Sequence, residues 1–469
     1  MRKVRIIYVC LLVSSLFVLS GCGESAYDLA VKKAVDDGVI SEEEVNDLKG
    51  KYAETQKQSV DSIENWTPLI EDLLYLDNGL DRHVLEKAIY GLKTKVIVYL
   101  DNTYSMRGYA QAQDPRAFTS LFEAISTYYS ANPEIGIEAR YVSKDNVAKE
   151  VGFNKMCDEL TSHAWAKSSN YTDAYQMNDL FGAISRMIRR DDTKEEVICF
   201  FVSDMIPSTE NEKIRLDRQT MLHFSERMTT MITDSLRTLS SKDGKYAAAL
   251  YQFHAPFGSA EKERGRYKNE AIYYKFTNGH LLLHGEERPL YVMVIGNKYV
   301  VKEWNDVAQS GIQNFIFDKS SFIDGTTTGV QVNGYAEICE DRIEILNDDE
   351  GISLELSGDS IPTYLSFVDS ALSVTFNDKL MEVDRYGVIK LGKSEDVDGG
   401  TLRIQLRDVA PKWIDDCSSE DDSKLVASNS KEMAQTFFLD KVFRAVVHGL
   451  SNATGKEYLY DKSYTIEIK

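Results

Sequence analysis

Residues Lys95–Gly108 read KVIVYLDNTYSMRG, and this stretch decides how we interpret the fold. Val96–Leu100 is an unbroken apolar run rich in β-branched residues, which is typical of a strand buried on both faces of a parallel sheet. The run ends at Asp101, and Thr103 and Ser105 follow on alternate residues. Oxygen ligands on a short loop suit a hard divalent cation such as Mg²⁺. The stretch therefore predicts a buried strand that leads into a loop able to hold a metal ion.

The pattern Asp101-x-Thr103-x-Ser105 resembles the metal-ion-dependent adhesion site of von Willebrand factor A (VWA) domains, whose usual form is D-x-S-x-S. Thr103 departs from that form but keeps a hydroxyl group. The resemblance covers residues 91–311, about half the chain. It implies an α/β fold with a doubly wound, mostly parallel sheet and a metal at the carboxyl ends of the strands. It also implies two further ligands downstream, a threonine and an aspartate.

Asp204 is the candidate for the aspartate, because it directly follows the apolar run VICFFVS at residues 197–203. An acid at the end of a central strand lies where open α/β sheets bind ligands. Met205 stands where the family usually has a glycine. Thr172 is the candidate for the threonine, since it lies in a polar loop before a predicted helix, although it could equally cap that helix. The resemblance thus implies a site for Mg²⁺, or for Mn²⁺ or Ca²⁺, made by Asp101, Thr103, Ser105, Thr172 and Asp204.

The loops that carry these residues offer no histidine that could act as a base beside a metal, so no catalytic residue is predicted. The resembled family commonly binds a carboxylate of a partner protein at its metal. We therefore expect a protein partner whose acidic residue completes the site. The surrounding contacts are expected from the same loop, namely from Tyr104, Met106, Arg107 and Tyr109.

An enzyme is the alternative interpretation. A hydrophobic strand that ends in Asp101 also resembles haloacid-dehalogenase-like phosphatases, in which this aspartate is the nucleophile. That family normally shows D-x-D-x-T, and Thr103 replaces the second aspartate, which is the general acid. The departure favours the binding protein over the phosphatase.

The first residues predict export and a lipid anchor. Arg2, Lys3 and Arg5 precede an apolar run at residues 6–19, which is shorter than the roughly 20 residues that span a bilayer. The sequence Leu19-Ser20-Gly21-Cys22 that follows resembles a bacterial lipobox, in which the chain is cut before a cysteine that then carries acyl chains. An ordinary signal peptide is the alternative. We expect a lipoprotein of the bacterial cell envelope, on the outer membrane if the cell is Gram-negative.

The net charge argues against nucleic acid as a partner, and the cysteine spacing argues against zinc or redox chemistry. The chain has 469 residues and a net charge of -20, so it repels phosphate backbones and nucleic acid is not an expected partner. Beyond Cys10 and Cys22, four cysteines remain in no C-x-x-C pattern, which gives no signal for zinc or redox chemistry. Cys199 lies inside an apolar run and is predicted to be a core residue. The other three are Cys157, Cys339 and Cys417.

Four segments follow from these patterns. Residues 1–21 are the signal peptide, and residues 22–90 form a helical segment in which Ser41 and Glu44 make a capping box. Residues 91–310 form the VWA-like domain, with an interval from His254 to Arg288 that is longer than the fold needs. The basic cluster EKERGRYK in this interval is expected to be a solvated loop unless a partner uses it. Residues 311–469 alternate short apolar runs with turns, which predicts an antiparallel, sandwich-like β domain containing one helix.

Overall fold

We analysed a computed structural model of the chain. The residues that it describes are 26–35, 41–63, 65–76, 80, 82–112, 116–132, 135–142, 149–162, 165, 177–188, 195–206, 218–237, 239, 246–267, 271–275, 279–312, 315–324, 329–333, 336–339, 341–345, 352–357, 372–383, 388–392, 399–407, 410–420, 435–450 and 458–468. The chain forms two compact units, Met1–Lys93 and Thr94–Lys469.

The first unit is helical in its described part. Its helices are α1 (Ala26–Val35), α2 (Glu42–Thr55), α3 (Thr67–Leu76) and α4 (Arg82–Tyr90). The predicted capping box is confirmed: the Ser41 hydroxyl accepts from the Glu44 N–H, and the Glu44 carboxylate accepts from the Ser41 N–H at 2.9 Å. Trp66 and Leu69 belong to the small apolar core that these helices share.

The second unit begins with a seven-stranded sheet. In chain order, its strands and the strands of two small hairpins are β1 (Lys93–Asp101), β2 (Gly136–Val142), β3 (Lys149–Gly152), β4 (Glu195–Ser203), β5 (Tyr246–Phe257), β6 (Lys262–Glu263), β7 (Arg266–Tyr267), β8 (Ala271–Lys275), β9 (Gly279–Leu283), β10 (Glu286–Asn297) and β11 (Lys319–Asp324). The order across the sheet is β11-β5-β10-β4-β1-β2-β3.

This sheet is mixed, which differs from the mostly parallel sheet that the sequence predicts. Strands β1 and β2 are parallel, whereas β10 is antiparallel to both β4 and β5, and β11 is antiparallel to β5. The error has a physical reason. Fully apolar runs report burial on both faces of a sheet, as in Leu290–Ile295, and they do not report strand direction.

Helices cover both faces of the sheet. The helices of this unit are α5 (Arg107–Ala110), α6 (Arg116–Ser130), α7 (Phe153–Thr161), α8 (Met177–Ile188), α9 (Arg218–Arg237), α10 (Lys298–Ser310), α11 (Lys412–Cys417) and α12 (Leu439–Leu450). Val96, Val98 and Leu100 pack with α6, α7 and α10 on one face. Ile97 and Tyr99 point to the other face, where α8, α9 and α12 lie. The alternation follows from the period of two in a strand.

The chain beyond residue 310 contributes to this sheet as well as forming β structure of its own. Its further strands are β12 (Gly329–Asn333), β13 (Ala336–Cys339), β14 (Arg342–Ile345), β15 (Ile352–Ser357), β16 (Leu372–Phe376), β17 (Lys379–Leu380), β18 (Val388–Gly392), β19 (Gly400–Arg407), β20 (Ser418–Ser419), β21 (Thr436–Phe437) and β22 (Tyr458–Ile468). They include a three-stranded sheet, β12-β15-β18, and a six-stranded sheet, β13-β14-β22-β19-β16-β17. The six-stranded sheet contains one parallel pair, β14 with β22, so it is not purely antiparallel.

The predicted boundary at residue 310 cuts through the seven-stranded sheet, because β11 is its edge strand. Helix α12 also packs on its helical layer: the Thr233 hydroxyl donates to the Ala445 carbonyl at 3.3 Å, and Gly449 allows α12 to approach Leu236 closely. A short apolar run does not reveal which sheet it will join, so the sequence could not assign β11.

The structure also bears on the predictions for the cysteines and for membrane-spanning segments. Cys199 is fully buried, as predicted, and Cys157, Cys199 and Cys417 are free thiols. Within the part of the chain that the structure describes, no helix is both long and apolar enough to span a bilayer. Cys22 and Thr172 lie outside the described residues.

Candidate metal site

The first half of the candidate site is the β1 loop, residues Asp101–Met106, which follows β1. Asp101 is buried, and each of its carboxylate oxygens accepts a hydrogen bond. The Thr103 N–H donates to Oδ1 at 2.9 Å, and the Ser203 hydroxyl donates to Oδ2 at 2.7 Å. Both bonds stabilise a charged carboxylate. The residue is therefore held in one orientation by its own loop and by the end of the neighbouring strand β4.

The two hydroxyl groups of the β1 loop face each other. Thr103 Oγ1 and Ser105 Oγ are 3.0 Å apart, within hydrogen-bonding distance. The loop closes with a 3₁₀ turn over Tyr104–Met106, in which the Met106 N–H donates to the Thr103 carbonyl at 3.1 Å. This turn allows residues two apart in sequence to present their oxygens together.

The second half is the β4 loop, residues Asp204–Ile206, which follows β4. Asp204 is 3% exposed; its Oδ1 accepts from the Ile206 N–H at 3.2 Å, while among the described residues its buried Oδ2 has no hydrogen-bond partner. Burial and then the charge of Asp101 raise the pKa of Asp204 to about 7, against smaller opposing effects of the Ser105 hydroxyl, the Ile206 N–H and Arg288. A buried carboxylate oxygen without a donor is unfavourable unless a proton or a cation binds it.

Met205 has a backbone conformation that suits glycine. Its φ is +55°, in the left-handed region, although it is a non-glycine residue with a buried side chain. That conformation costs about 1 kcal/mol or more for a residue with a Cβ. The Met205 N–H donates to the Ser203 hydroxyl at 2.9 Å, so the strained turn also orients the group that holds Asp101. The position at which the resembled family usually has glycine is thus one where the backbone favours glycine.

Three residues that contribute to this site were not predicted. Ser203 holds Asp101, and a polar residue at the end of an apolar run was a signal that could have found it. Asn102 is buried and accepts a hydrogen bond from the Trp165 indole at 2.9 Å. Arg288 is buried at the start of β10, and its Nη2 donates to the Gln435 carbonyl at 3.3 Å. Nothing in the sequence indicates that Arg288 is buried, because arginine is usually exposed.

The donor set is compatible with a hard divalent cation. It consists of carboxylate and hydroxyl oxygens, which Mg²⁺, Mn²⁺ and Ca²⁺ prefer over nitrogen or sulfur. The Oδ2 of Asp204 supplies an oxygen that no donor in the described chain uses. No group of three or more His, Cys, Asp or Glu side chains at metal-binding distances occurs among the described residues, since this site has two carboxylates and its other oxygens are hydroxyls.

Of the five predicted ligands, the structure describes four, and all four lie on the β1 and β4 loops at one end of neighbouring strands. Asp101 is linked to β4 through Ser203, and Ser105 lies close enough to Asp204 to lower its pKa. The four residues that were predicted to contact a partner differ in their exposure to solvent. Arg107 is exposed, and the side chain of Tyr104 is outside the described part of the structure.

Met106 and Tyr109 are core residues, which differs from the prediction that they contact a partner. Met106 packs beneath the sheet edge in the apolar core. The Tyr109 hydroxyl donates to the Pro289 carbonyl at 2.5 Å, and its ring meets Phe257 edge to face at 4.8 Å. The apolar character of both residues already favours burial over exposure, and the short helix α5 turns them inward.

Comparisons with known proteins add no family assignment. No protein-family model and no curated protein matches the chain. Among solved structures, it was aligned with the pilus adhesin SpaC from Lactobacillus rhamnosus GG in an open conformation, at 8% identity and a TM-score of 0.18. The alignment covers 65% of this chain and 49% of the adhesin, so the chain spans about half the length of that protein. A TM-score this low does not indicate a shared fold.

Proposed function

We propose that this chain is a VWA-like lipoprotein of the bacterial cell envelope that binds a divalent cation, Mg²⁺ in the first place, and through it a partner protein. The observation that carries the proposal is the buried Oδ2 of Asp204, which has no hydrogen-bond partner among the described residues and lies beside the carboxylate of Asp101. Two neighbouring buried carboxylates repel each other unless one is protonated or a cation lies between them. The hydroxyls of Thr103 and Ser105 supply the remaining oxygens.

Each residue would have a distinct role in the proposed site. Asp101, Ser105 and Asp204 would hold the cation, with Thr103 and the predicted Thr172 completing the set. Ser203 orients Asp101 through its 2.7 Å hydrogen bond. A divalent cation with few carboxylate ligands keeps a net positive charge and an open position, which a carboxylate of a partner can fill. Neither loop offers a histidine base, which favours binding over catalysis.

The metal is tested first, with the full chain and no partner. A ligand that binds the folded state alone raises its stability by about 2.7 kcal/mol at a hundredfold excess over Kd. Mg²⁺ and Mn²⁺ should therefore raise the melting temperature of the wild type. They should not raise that of Ser105→Ala, whereas Ser130→Ala, which changes an exposed serine on α6, should respond like the wild type. An equal rise in both variants would contradict the proposal.

Partner binding is tested by capture from the native envelope with and without EDTA. A partner bound through the cation should be lost with EDTA and with Ser105→Ala, and retained by Ser130→Ala. The same protein should not hydrolyse a panel of phosphomonoesters in Mg²⁺. Hydrolysis that disappears in Asp101→Asn would instead support the phosphatase alternative.

The anchor is tested separately, because it depends on Cys22 and not on the metal. Several acyl chains, at about 0.8 kcal/mol for each buried CH₂ group, hold a protein on a membrane far more firmly than one chain does. Cys22→Ala should therefore yield soluble or uncleaved protein, while Cys157→Ala should leave membrane fractionation unchanged. Unchanged fractionation and an unmodified N-terminal peptide in the wild type would contradict the lipoprotein assignment.

A further inference from the structure

The interval between β5 and β10 is built as two small hairpins, and it borders the candidate metal site. We call residues 258–285 the insertion. Its first hairpin pairs β6 with β7, and its second pairs β8 with β9. Strand β8 contacts both the Tyr104–Met106 turn and helix α5. From the sequence we expect a solvated loop here unless a partner uses its basic cluster. The two hairpins and their contact with the Tyr104–Met106 turn are therefore not predicted.

The insertion begins beside helix α5, which directly follows the β1 loop. The Gly258 N–H donates to the Gly108 carbonyl at 2.8 Å. Gly108 is in contact with the Phe257 ring, so closely that a Cβ at Gly108 would come within 2.0 Å of a ring carbon. At its other end, the Gly285 N–H donates to the Phe257 carbonyl at 2.9 Å. The insertion therefore begins beside helix α5, and its two ends meet at Phe257.

The first hairpin is compact and exposes its charges. Its two central residues, Arg264 and Gly265, both have positive φ, as in the tight turns that suit β-hairpins. The Tyr267 ring stacks on His284 at 3.6 Å, which ties the hairpin to the end of the insertion, and the Lys262 ammonium lies 4.6 Å from the centre of the Tyr267 ring. Lys262, Arg264 and Arg266 are all exposed, and so are Glu261 and Glu263, which leaves this hairpin with a net charge of +1.

The charge of this surface is opposite to that of the whole chain. The insertion carries five Lys and Arg residues against three Glu, whereas the chain as a whole carries -20. Arg107, the first residue of α5 directly after the β1 loop, is also exposed. Lys262 follows Gly258 by four residues, and an extended chain of that length spans at most about 14 Å. In physiological salt, a charge acts on other charges within about 8 to 10 Å. The Lys and Arg side chains of the hairpin can therefore attract a carboxylate within that distance of their charged ends.

We propose that the insertion is the surface that receives an acidic polypeptide segment of the partner; this rests on the proposed function above. One carboxylate of that segment would reach the metal site, and the carboxylates that flank it would pair with the first hairpin and with Arg107. Elsewhere, the net negative charge of the chain repels such a segment. The insertion therefore selects both the class of partner and the face to which it binds.

The probe is a fluorescein-labelled peptide of ten glutamates, with a peptide of ten glutamines as the neutral comparison, and binding is measured by anisotropy with the full chain in Mg²⁺. The test variant is the triple change Lys262→Glu, Arg264→Glu and Arg266→Glu. The control makes the same charge change at exposed residues elsewhere, with Lys155→Glu, Arg237→Glu and Lys379→Glu. We expect the hairpin variant to weaken glutamate-peptide binding at least tenfold, and the control to weaken it less than threefold.

The melting temperature in Mg²⁺ alone separates this proposal from the proposed function. The hairpin variant should keep the full Mg²⁺ response, which also shows that it is folded, while peptide binding falls. Equal peptide binding by wild type and hairpin variant, equal weakening by the two triple variants, or a wild type that responds to Mg²⁺ but does not prefer the glutamate peptide, would each overturn the insertion proposal alone. A wild type with no Mg²⁺ response would overturn the proposed function and this proposal with it.

Discussion

The β1 loop and the β4 loop each begin with a buried aspartate at the end of a central strand, but the two aspartates are in opposite situations. Both oxygens of Asp101 accept hydrogen bonds, from Thr103 and Ser203. Among the described residues, Asp204 accepts the Ile206 N–H on Oδ1 and its Oδ2 has no partner at hydrogen-bonding distance; burial and the charge of Asp101 raise its pKa to about 7, against a smaller effect of the Ser105 hydroxyl. The difference teaches that the described chain satisfies both oxygens of one carboxylate and leaves the other carboxylate incompletely satisfied, which is the asymmetry that the proposed cation site requires.

The largest effect is expected from Asp101→Ala. The change leaves the Ser203 hydroxyl and the Thr103 N–H without their acceptor, at about 1 to 3 kcal/mol each, and it also removes a proposed ligand. We expect a lower free energy of unfolding in EDTA at pH 5 and no Mg²⁺ response at pH 8, measured by urea denaturation. Asp234→Ala, at an exposed aspartate on α9, is the control and should keep both properties. A full Mg²⁺ response in Asp101→Ala would place the metal elsewhere.

The next effect compares the two loops directly by replacing each carboxylate with an amide. In EDTA at pH 8, Asp204→Asn should be more stable than the wild type, since it removes a charge that burial and the neighbouring Asp101 carboxylate both disfavour. Asp101→Asn should be less stable, because one amide oxygen cannot replace two carboxylate oxygens that both accept. Both variants should lose the Mg²⁺ response. Equal effects of the two changes on stability in EDTA would remove the asymmetry that we infer.

The pH dependence of the metal-free protein follows from the same shift. The pKa of Asp204 is about 7 in the folded chain, above its ordinary value of 3.8, so between these values the folded state binds a proton that the unfolded state lacks. Stability in EDTA should then fall as pH rises from about 4 to 7, by up to about 1.4 kcal/mol for each pH unit, and level off above 7. Asp204→Asn should flatten this slope.

Metal binding should show the opposite trend. Because a cation must displace the proton of Asp204, the Kd for Mg²⁺ should rise about tenfold for each pH unit below 7. Titrations at pH 6, 7 and 8 measure this trend. A Kd that does not change over this range would contradict the assignment of Asp204 as a ligand.

The smallest effect concerns the strained backbone of Met205. Met205→Gly and Met205→Ala both remove the buried side chain and should both destabilise the protein. Only glycine relieves the positive φ, so the glycine variant should be more stable than the alanine variant by about 1 kcal/mol. The order should be reversed at Met156, which is buried within the helix α7, because glycine is about 1 kcal/mol worse than alanine there. The same order at both positions would argue against strain in the β4 loop.

Both loops of the site could be predicted from the sequence, and their difference could not. Long apolar runs ending in Asp101 and Asp204 indicate buried strands with acids at their ends, and the structure contains both strands. The hydrogen bond from Ser203 joins residues of two strands, 102 positions apart, and no local pattern reports it. The raised pKa of Asp204 depends on burial and on a neighbour from another strand, which a linear reading does not supply.

Strand direction and the surroundings of the site were beyond the sequence for similar reasons. The apolar run of β10 predicts burial but not that the strand lies antiparallel between β4 and β5. Met106 ends the β1 loop and Tyr109 lies just after it, which suggested contact with a partner, and only the structure shows that both side chains are in the core. The insertion has polar, charged residues typical of a loop, and its first hairpin depends on a two-residue turn at Arg264 and Gly265.

The packing of α12 against α9 determines when the second unit can finish folding relative to its synthesis. Thr233 and Ala445, which join the two helices, are 212 residues apart. At about 5 to 20 residues per second, a ribosome needs about 10 to 40 s to add that length. During this time the apolar surface of α9 that α12 covers stays open on the nascent chain, and contacts so distant in sequence also form slowly. The second unit therefore cannot complete its folding until almost its last residues have been synthesised.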